Sequence, residues 1–302
     1  MERANPINAG GGLALAPALL ELLKPITWFP PMWAFLCGAV SSGQPFLDHL
    51  GLLVAGIVLA GPLLCGASQI VNDWFDREVD AINQPERAIP SGRVPGQLAL
   101  YYAVAWSGLA LAWGFSLGTW VGIASALGLV LAWAYSAPPV RLKRNGWWGN
   151  AAVGLSYEGM AWVTGAAVML DGNLPPDEVL IIALLYSVGA HGIMTLNDFK
   201  SIEGDLAVGL RSLPAMLGAD RAARLAGAVM ALPQVVVIAL LVSWQAHWQA
   251  ATIVALLLGQ LLAMRRLLTD PRAFAPWYNG TGVTAYVSGM MITATALPGV
   301  TG

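Results

Sequence analysis

Nine long apolar runs, joined by loops whose lysines and arginines all fall on one alternating set, leave this 302-residue chain few ways to fold. The runs centre on residues 27–43, 49–70, 98–117, 119–137, 148–170, 179–197, 222–243, 248–267 and 281–298. Hydrocarbon about 30 Å thick takes roughly 20 helical residues, and backbone groups inside it must bond within their own segment. The chain is 57% hydrophobic and 11% charged. A soluble domain carries about 25% charged residues, so the polar side chains here are too few to coat a globule. The expected fold is an all-α polytopic membrane protein of about nine spans, one domain over residues 1–302.

The basic residues orient it. Arg3 and Lys24 precede the first run; Arg77, Arg87 and Arg93 follow the second; Arg141, Lys143 and Arg144 follow the fourth. The loop after the sixth, with its edges, holds Lys200, Arg211, Arg221 and Arg224, and the one after the eighth holds Arg265, Arg266 and Arg272. The opposite loops, near 41–48, 118, 171–178 and 244–248, hold none. Positive residues stay cytoplasmic, which predicts a cytoplasmic N-terminus and, for nine spans, a C-terminus across the membrane. Met1–Gly12 lacks the basic and apolar regions of a cleavable signal. Cys37 and Cys65 sit apart in apolar runs and read as small core residues. Nucleic acid is not an expected partner; the lipid bilayer is.

Two loops on the basic side are long, 71–97 and 197–220, and each opens on an acidic motif. Asn72-Asp73-Trp74-Phe75-Asp76-Arg77-Glu78-Val79-Asp80 aligns without gaps with Asn197-Asp198-Phe199-Lys200-Ser201-Ile202-Glu203-Gly204-Asp205. Both place Asn, Asp, Glu and Asp at positions 1, 2, 7 and 9, as an internal repeat does. On a helix, Asp73, Asp76 and Asp80 fall within an arc of roughly 60°, with Glu78 nearly opposite. Asp198, Ser201 and Asp205 repeat the arc if the helix survives Gly204. Carboxylates on one face repel unless a cation compensates. Oxygen-only ligands suit a hard ion, and Mg²⁺ bridges carboxylates to phosphates. The expected ligands are Asp73, Asp76, Asp80, Asp198 and Asp205. The alternative is a pair of solvated helix ends matched by loop arginines.

Around them, Arg87–Arg93 form a turn at Pro90-Ser91-Gly92 whose N–H groups suit phosphate oxygens or make an ordinary turn. Pro138-Pro139 stop the fourth run and project Arg141, Lys143 and Arg144 toward the acidic side. The polar and basic residues placed to meet an anionic ligand are Asn72, Arg77, Arg87, Arg93, Lys143, Arg144, Asn197 and Lys200. Within the runs, Glu158 is costly in hydrocarbon unless paired or in a wet cavity, which makes it a functional candidate. His191 could ligate a tetrapyrrole metal or simply pack. Trp74, Phe75 and Phe199 beside the acids could face an allylic cation, or belong with the interfacial aromatics.

Asn72-Asp73…Asp76…Asp80, Tyr135-Ser136…Pro138-Pro139…Lys143 and Asp198…Asp205 together resemble the UbiA superfamily of intramembrane prenyltransferases, over nearly the whole chain. The resemblance implies nine helices around a central cavity, with cytoplasmic caps carrying the aspartates. Lys24-Pro25-Ile26-Thr27-Trp28, Asn197-Asp198-Phe199-Lys200-Ser201 and Arg211-Ser212-Leu213-Pro214 look like its chlorophyll and bacteriochlorophyll synthase branch. Tyr157-Glu158-Gly159, His191–Leu196 and Ala275–Gly280 resemble the bacteriochlorophyll members more. Ala88 departs from the family's usual proline and loosens the turn that follows.

The resemblance implies Mg²⁺-dependent esterification of the bacteriochlorophyllide a propionate with geranylgeranyl or phytyl diphosphate, in a bacterial inner or intracytoplasmic membrane. It leaves room for photosynthetic assembly proteins as partners. Tyr135, Glu158 and His191 join Trp74, Phe75 and Phe199 as expected contacts of acceptor or cation. Chlorophyllide, a quinone precursor and haem stay open as acceptors. A transporter should concentrate acids at the bilayer midplane, which this chain does not.

Overall fold

The computed structural model describes residues 11–207 and 209–301. Arg3 and most of Met1–Gly12, the segment without a cleavable signal's pattern, lie outside them. Almost every described element is helical. A short helix α1 (Gly11–Leu22) is followed by α2 (Phe29–Ser41). Next, α3 (Leu50–Val58) runs through a π-helical turn, Leu59–Cys65, into α4 (Gly66–Asn83). Then come α5 (Gly96–Ser116) and α6 (Thr119–Ser136). A second such rod joins α7 (Gly146–Gly154) through another π-turn, Leu155–Met160, to α8 (Ala161–Met169). The chain continues with α9 (Asp177–Asn197), α10 (Ile202–Ala207), α11 (Leu213–Leu217), α12 (Ala219–Ser243), α13 (His247–Leu267), α14 (Pro271–Ala294) and α15 (Pro298–Thr301).

Seven described helices are long and apolar enough to cross a membrane: Leu47–Asn83, Gly96–Ser116, Thr119–Ser136, Asp177–Ala207, Ala219–Ser243, His247–Leu267 and Pro271–Thr301. Nine spans were expected. The runs at 27–43 and 148–170 are helical, but α2 has 13 residues and the α7–α8 rod is broken by its π-turn around Glu158.

Helices approach closely where glycine removes the side chain. A Cβ on Gly38 of α2 would lie 1.9 Å from the Trp162 carbonyl oxygen, and one on Gly165 of α8 would lie 1.9 Å from that of Phe35. The α2–α8 crossing is therefore backbone against backbone, a small-residue contact that suits helices in lipid. Trp162 Nε1 also donates to Ser41 Oγ across this crossing, at 3.0 Å. Pro62 lies inside the first π-turn and cannot donate to a regular ladder. The loop before α7 pairs with the loop before α11: Gly146 N donates to the Arg211 carbonyl at 2.8 Å and Arg211 N to that of Arg144 at 3.1 Å. That clamp joins the two halves at the end of the bundle bearing the acidic motifs.

Candidate active site

A cavity of about 420 Å³ opens inside the bundle. Its wall comes from the segment before α2, from α2 itself, from the rods α3–α4 and α7–α8, and from α6 and α9. Most of the wall is apolar. Asn72 and Asn197, the first residues of the two acidic motifs, both line it, as does Tyr135. Asp76, Asp198 and Asp205 all act electrostatically on the Tyr135 hydroxyl, so both motifs meet over one part of the cavity. Asn72 Nδ2 donates to Ser136 Oγ at 3.3 Å, and Asn197 Oδ1 accepts from Asn279 Nδ2 at 3.0 Å.

The first motif is α-helical, as its spacing predicts, and every aspartate in it has a cation. Lys24 Nζ is 2.5 Å from Asp73 Oδ1. Arg87 Nη1 lies 2.7 Å from Asp80 Oδ2 and 3.6 Å from Asp73 Oδ1, bridging the two. Lys143 Nζ donates to both Asp76 oxygens at 2.6 Å, and Arg141 Nη2 reaches Asp76 Oδ1 at 3.2 Å. Burial pulls the Lys143 ammonium below the usual lysine range, and the Asp76 charge opposes that shift.

The second motif is built differently. Asp198–Ser201 form a 3-10 turn before α10, so its carboxylates do not repeat the first arc in detail, although the helix does run through Gly204. Asp198 Oδ2 accepts from Asn150 Nδ2 at 3.2 Å, and Asp205 Oδ2 from Ser201 Oγ at 3.0 Å. Neither aspartate has a salt bridge among the described residues. The mouth thus has a cation-rich side and a side of uncompensated carboxylate.

Other expected contacts lie elsewhere. Arg93 binds Glu21 on α1 through both nitrogens, at 2.5 and 2.8 Å, and donates to the Glu86 carbonyl. The turn at Pro90–Gly92 spends its N–H groups internally, from Ser91 to Arg87 and from Gly92 to Ile89; it is an ordinary turn, not a phosphate cradle. Arg77 is turned onto the Trp74 ring, 4.4 Å from its centroid. Arg144 and Lys200 are exposed. Trp74 and Phe75 pack with α1 and α5, and Phe199 is in the core; none of the three is in the cavity wall. His191 stands outside it too, its ring 5.7 Å from that of Trp147.

Four residues of the site are missing from the sequence-derived set. Lys24 and Arg141 hold motif aspartates, and both sit in left-handed backbone conformations, with φ of 45° and 38°. That region is uncommon for residues other than glycine, and it clusters at functional sites. Asn150 steadies Asp198. In the cavity wall, Tyr157 gathers Gln69 Nε2 at 2.9 Å, Ser68 Oγ at 3.1 Å and Cys65 Sγ at 3.4 Å around its hydroxyl. Spacing along the sequence cannot flag that cluster, because it joins two π-turned rods.

The donor set fits a divalent cation. Asp198 and Asp205 offer hard oxygens that only neutral groups touch. No group of three or more carboxylate, histidine or cysteine ligands converges among the described residues, so an ion here would share its coordination with ligand oxygens, as Mg²⁺ does beside phosphates.

The UbiA prenyltransferase family description matches residues 27–279. The chain belongs to that family. This prenyltransferase is 56% identical over 286 residues to the bacteriochlorophyll synthase 33 kDa chain of Rhodobacter capsulatus, covering 94% of each chain. It is 49% identical over 282 residues to the bacteriochlorophyll synthase 34 kDa chain of Chloroflexus aurantiacus, covering 92% of this chain and 89% of that one. Its fold matches a UbiA homologue from Archaeoglobus fulgidus solved with GPP and Mg²⁺, with TM-score 0.67 and 18% identity, covering 91% of this chain and 99% of that one. The prenyltransferase is an integral membrane protein.

Proposed function

We propose that this prenyltransferase esterifies the propionate of bacteriochlorophyllide a with geranylgeranyl or phytyl diphosphate, as a single domain in a bacterial inner or intracytoplasmic membrane. The observation that carries the prenyl-transfer chemistry is the meeting of two aspartate clusters, one cation-rich and one bare, over an apolar cavity. The tetrapyrrole acceptor is supported by the names of the relatives, at 56% and 49% identity. The basic loops support a cytoplasmic N-terminus and a cytoplasmic active-site mouth.

Asp73, Asp76, Asp80, Asp198 and Asp205 would hold the divalent ion, which supplies charge neutralisation on the leaving diphosphate. Lys24, Arg87, Arg141 and Lys143 rest on the first cluster and lie within reach of phosphate oxygens, so they bind and orient the same group. Asn72, Asn197 and Tyr135 line the passage through which C1 reaches the mouth. The apolar wall excludes water from an allylic centre. The C1–O bond breaks and its electron pair leaves with the diphosphate; a propionate oxygen bonds to C1. A propionate with a pKa near 4, like that of Glu, arrives ionised, so no proton moves and no general base is needed.

Purified protein in nanodiscs with Mg²⁺ and geranylgeranyl diphosphate, given bacteriochlorophyllide a, chlorophyllide a, a quinone precursor or haem, tests the acceptor. Ester should form fastest from bacteriochlorophyllide a; equal or faster reaction with another acceptor overturns that part. Asp73→Asn and Asp198→Asn should each abolish transfer in a folded protein, and turnover retained in both removes the metal assignment.

A further inference from the structure

Glu158 has no role in the chemistry just described, yet it stands in the cavity wall. It is 6% exposed, and its Oε2 has no hydrogen-bond partner among the described residues. No salt bridge to it is found there either. A carboxyl group in hydrocarbon is costly unless something neutralises it. The local backbone is arranged around it: Glu158 sits in the second π-turn, and such turns recur at functional sites.

Its depth constrains the ligand. Gly159 packs against Ser187, ten residues before Asn197 on α9. At 1.5 Å per residue, that is about 15 Å below the mouth. A diphosphate and the propionate arm of a tetrapyrrole fill such a distance between them, which brings the centre of the macrocycle to the level of Glu158. An isoprenoid tail gains nothing from a carboxyl group. A bacteriochlorophyllide carries a hard divalent ion with an open axial position, and such an ion takes oxygen ligands.

We propose that Glu158 is an axial ligand to the magnesium of the bound acceptor, so that the cavity recognises the metallated macrocycle and orients its propionate toward the mouth. This rests on the acceptor assigned above. The acceptor's magnesium supplies the Lewis-acid partner that the unpaired Oε2 lacks, and ligation fixes the ring's height and tilt.

The test is binding of bacteriochlorophyllide a and of magnesium-free bacteriopheophorbide a to the full-length protein in nanodiscs, without prenyl diphosphate. The wild type should bind the magnesium form about tenfold more tightly or better, the range of one contact to a charged group. Its Qx absorption band should report an added axial ligand. Glu158→Leu, which fits an apolar wall without leaving an unpaired polar group, should lose that preference and the band shift while binding the metal-free ring as the wild type does. Glu158→Asp should keep part of both. Equal loss for the two rings in Glu158→Leu, or no preference in the wild type, overturns ligation and leaves the acceptor standing. Failure of the wild type to bind either ring overturns the acceptor as well.

Discussion

Arg87 is the cation whose removal says most about the mouth. Its Nη1 lies 2.7 Å from Asp80 and 3.6 Å from Asp73, and both aspartates are buried. At an effective dielectric of about 20 these contacts amount to about 6 and about 5 kcal/mol of Coulomb attraction. Desolvation of three charges offsets most of that. Removing one partner of a fully buried pair costs about 3–5 kcal/mol. The Arg87 side chain is 29% exposed, so water screens part of the loss, and about 2–3 kcal/mol is the expected destabilisation for Arg87→Met. If the same guanidinium also grips the diphosphate, one lost charged contact raises KM for prenyl diphosphate by about tenfold to a hundredfold. Arg87→Lys keeps the charge, but a point ammonium does not reproduce the bridge, so it should fall between. Initial rates against diphosphate concentration at saturating Mg²⁺, with thermal unfolding of the same samples, give both numbers. A KM within twofold of wild type for Arg87→Met, with unchanged unfolding, would refute both roles.

Gly165→Ala places a methyl 1.9 Å from the Phe35 carbonyl; α2 and α8 must part by about 1.5 Å to restore ordinary contact, and a loss of about 3 kcal/mol, the upper end of overpacking, should appear as a lower unfolding temperature. Gly204→Ala meets nothing within 4 Å and should gain up to about 1 kcal/mol from helix propensity; a lower unfolding temperature would argue against the α10 helix. Asp205→Asn should raise the Mg²⁺ concentration for half-maximal rate by tenfold or more, and an unchanged Mg²⁺ titration removes that carboxylate from the ion. Asn150→Leu takes the Nδ2 donor from Asp198 and should lower kcat/KM by about tenfold, the scale of one charged hydrogen bond; near-wild-type kinetics would show that Asn150 only packs.

The parts of this protein legible in its sequence are those governed by local periodicity. Helix spacing puts Asp73, Asp76 and Asp80 together, and α4 keeps that spacing. The second motif copies the letters, but the 3-10 turn at Asp198–Ser201 changes the geometry, because turn type depends on what the segment packs against. Lys24 is absent from the expected contacts, and Arg141 is expected only on the acidic side and not on an aspartate, because nothing in their neighbours announces a left-handed backbone at a lysine or an arginine. Arg93 and Arg77 look equivalent to Arg87 along the chain; only the docking of α1 gives Glu21 to Arg93, and only the Trp74 face claims Arg77. The α2 crossing was harder still, since Gly38 and Gly165 matter through each other's backbone at a separation of 127 residues.

The two π-turns have a consequence for how this wall can change. A π-turn holds one residue more than the helix around it needs. Deleting a single residue from Leu155–Met160 would leave an unbroken α-helix, with backbone bonding intact and α7 and α8 still in their present register, because the π-turn already absorbs the extra residue. The rod would survive while Glu158 and Tyr157 swung away from the ligand. Length here acts as a selector: one residue lost from either π-turn re-aims the few side chains inside it and leaves the rest of the rod as it was.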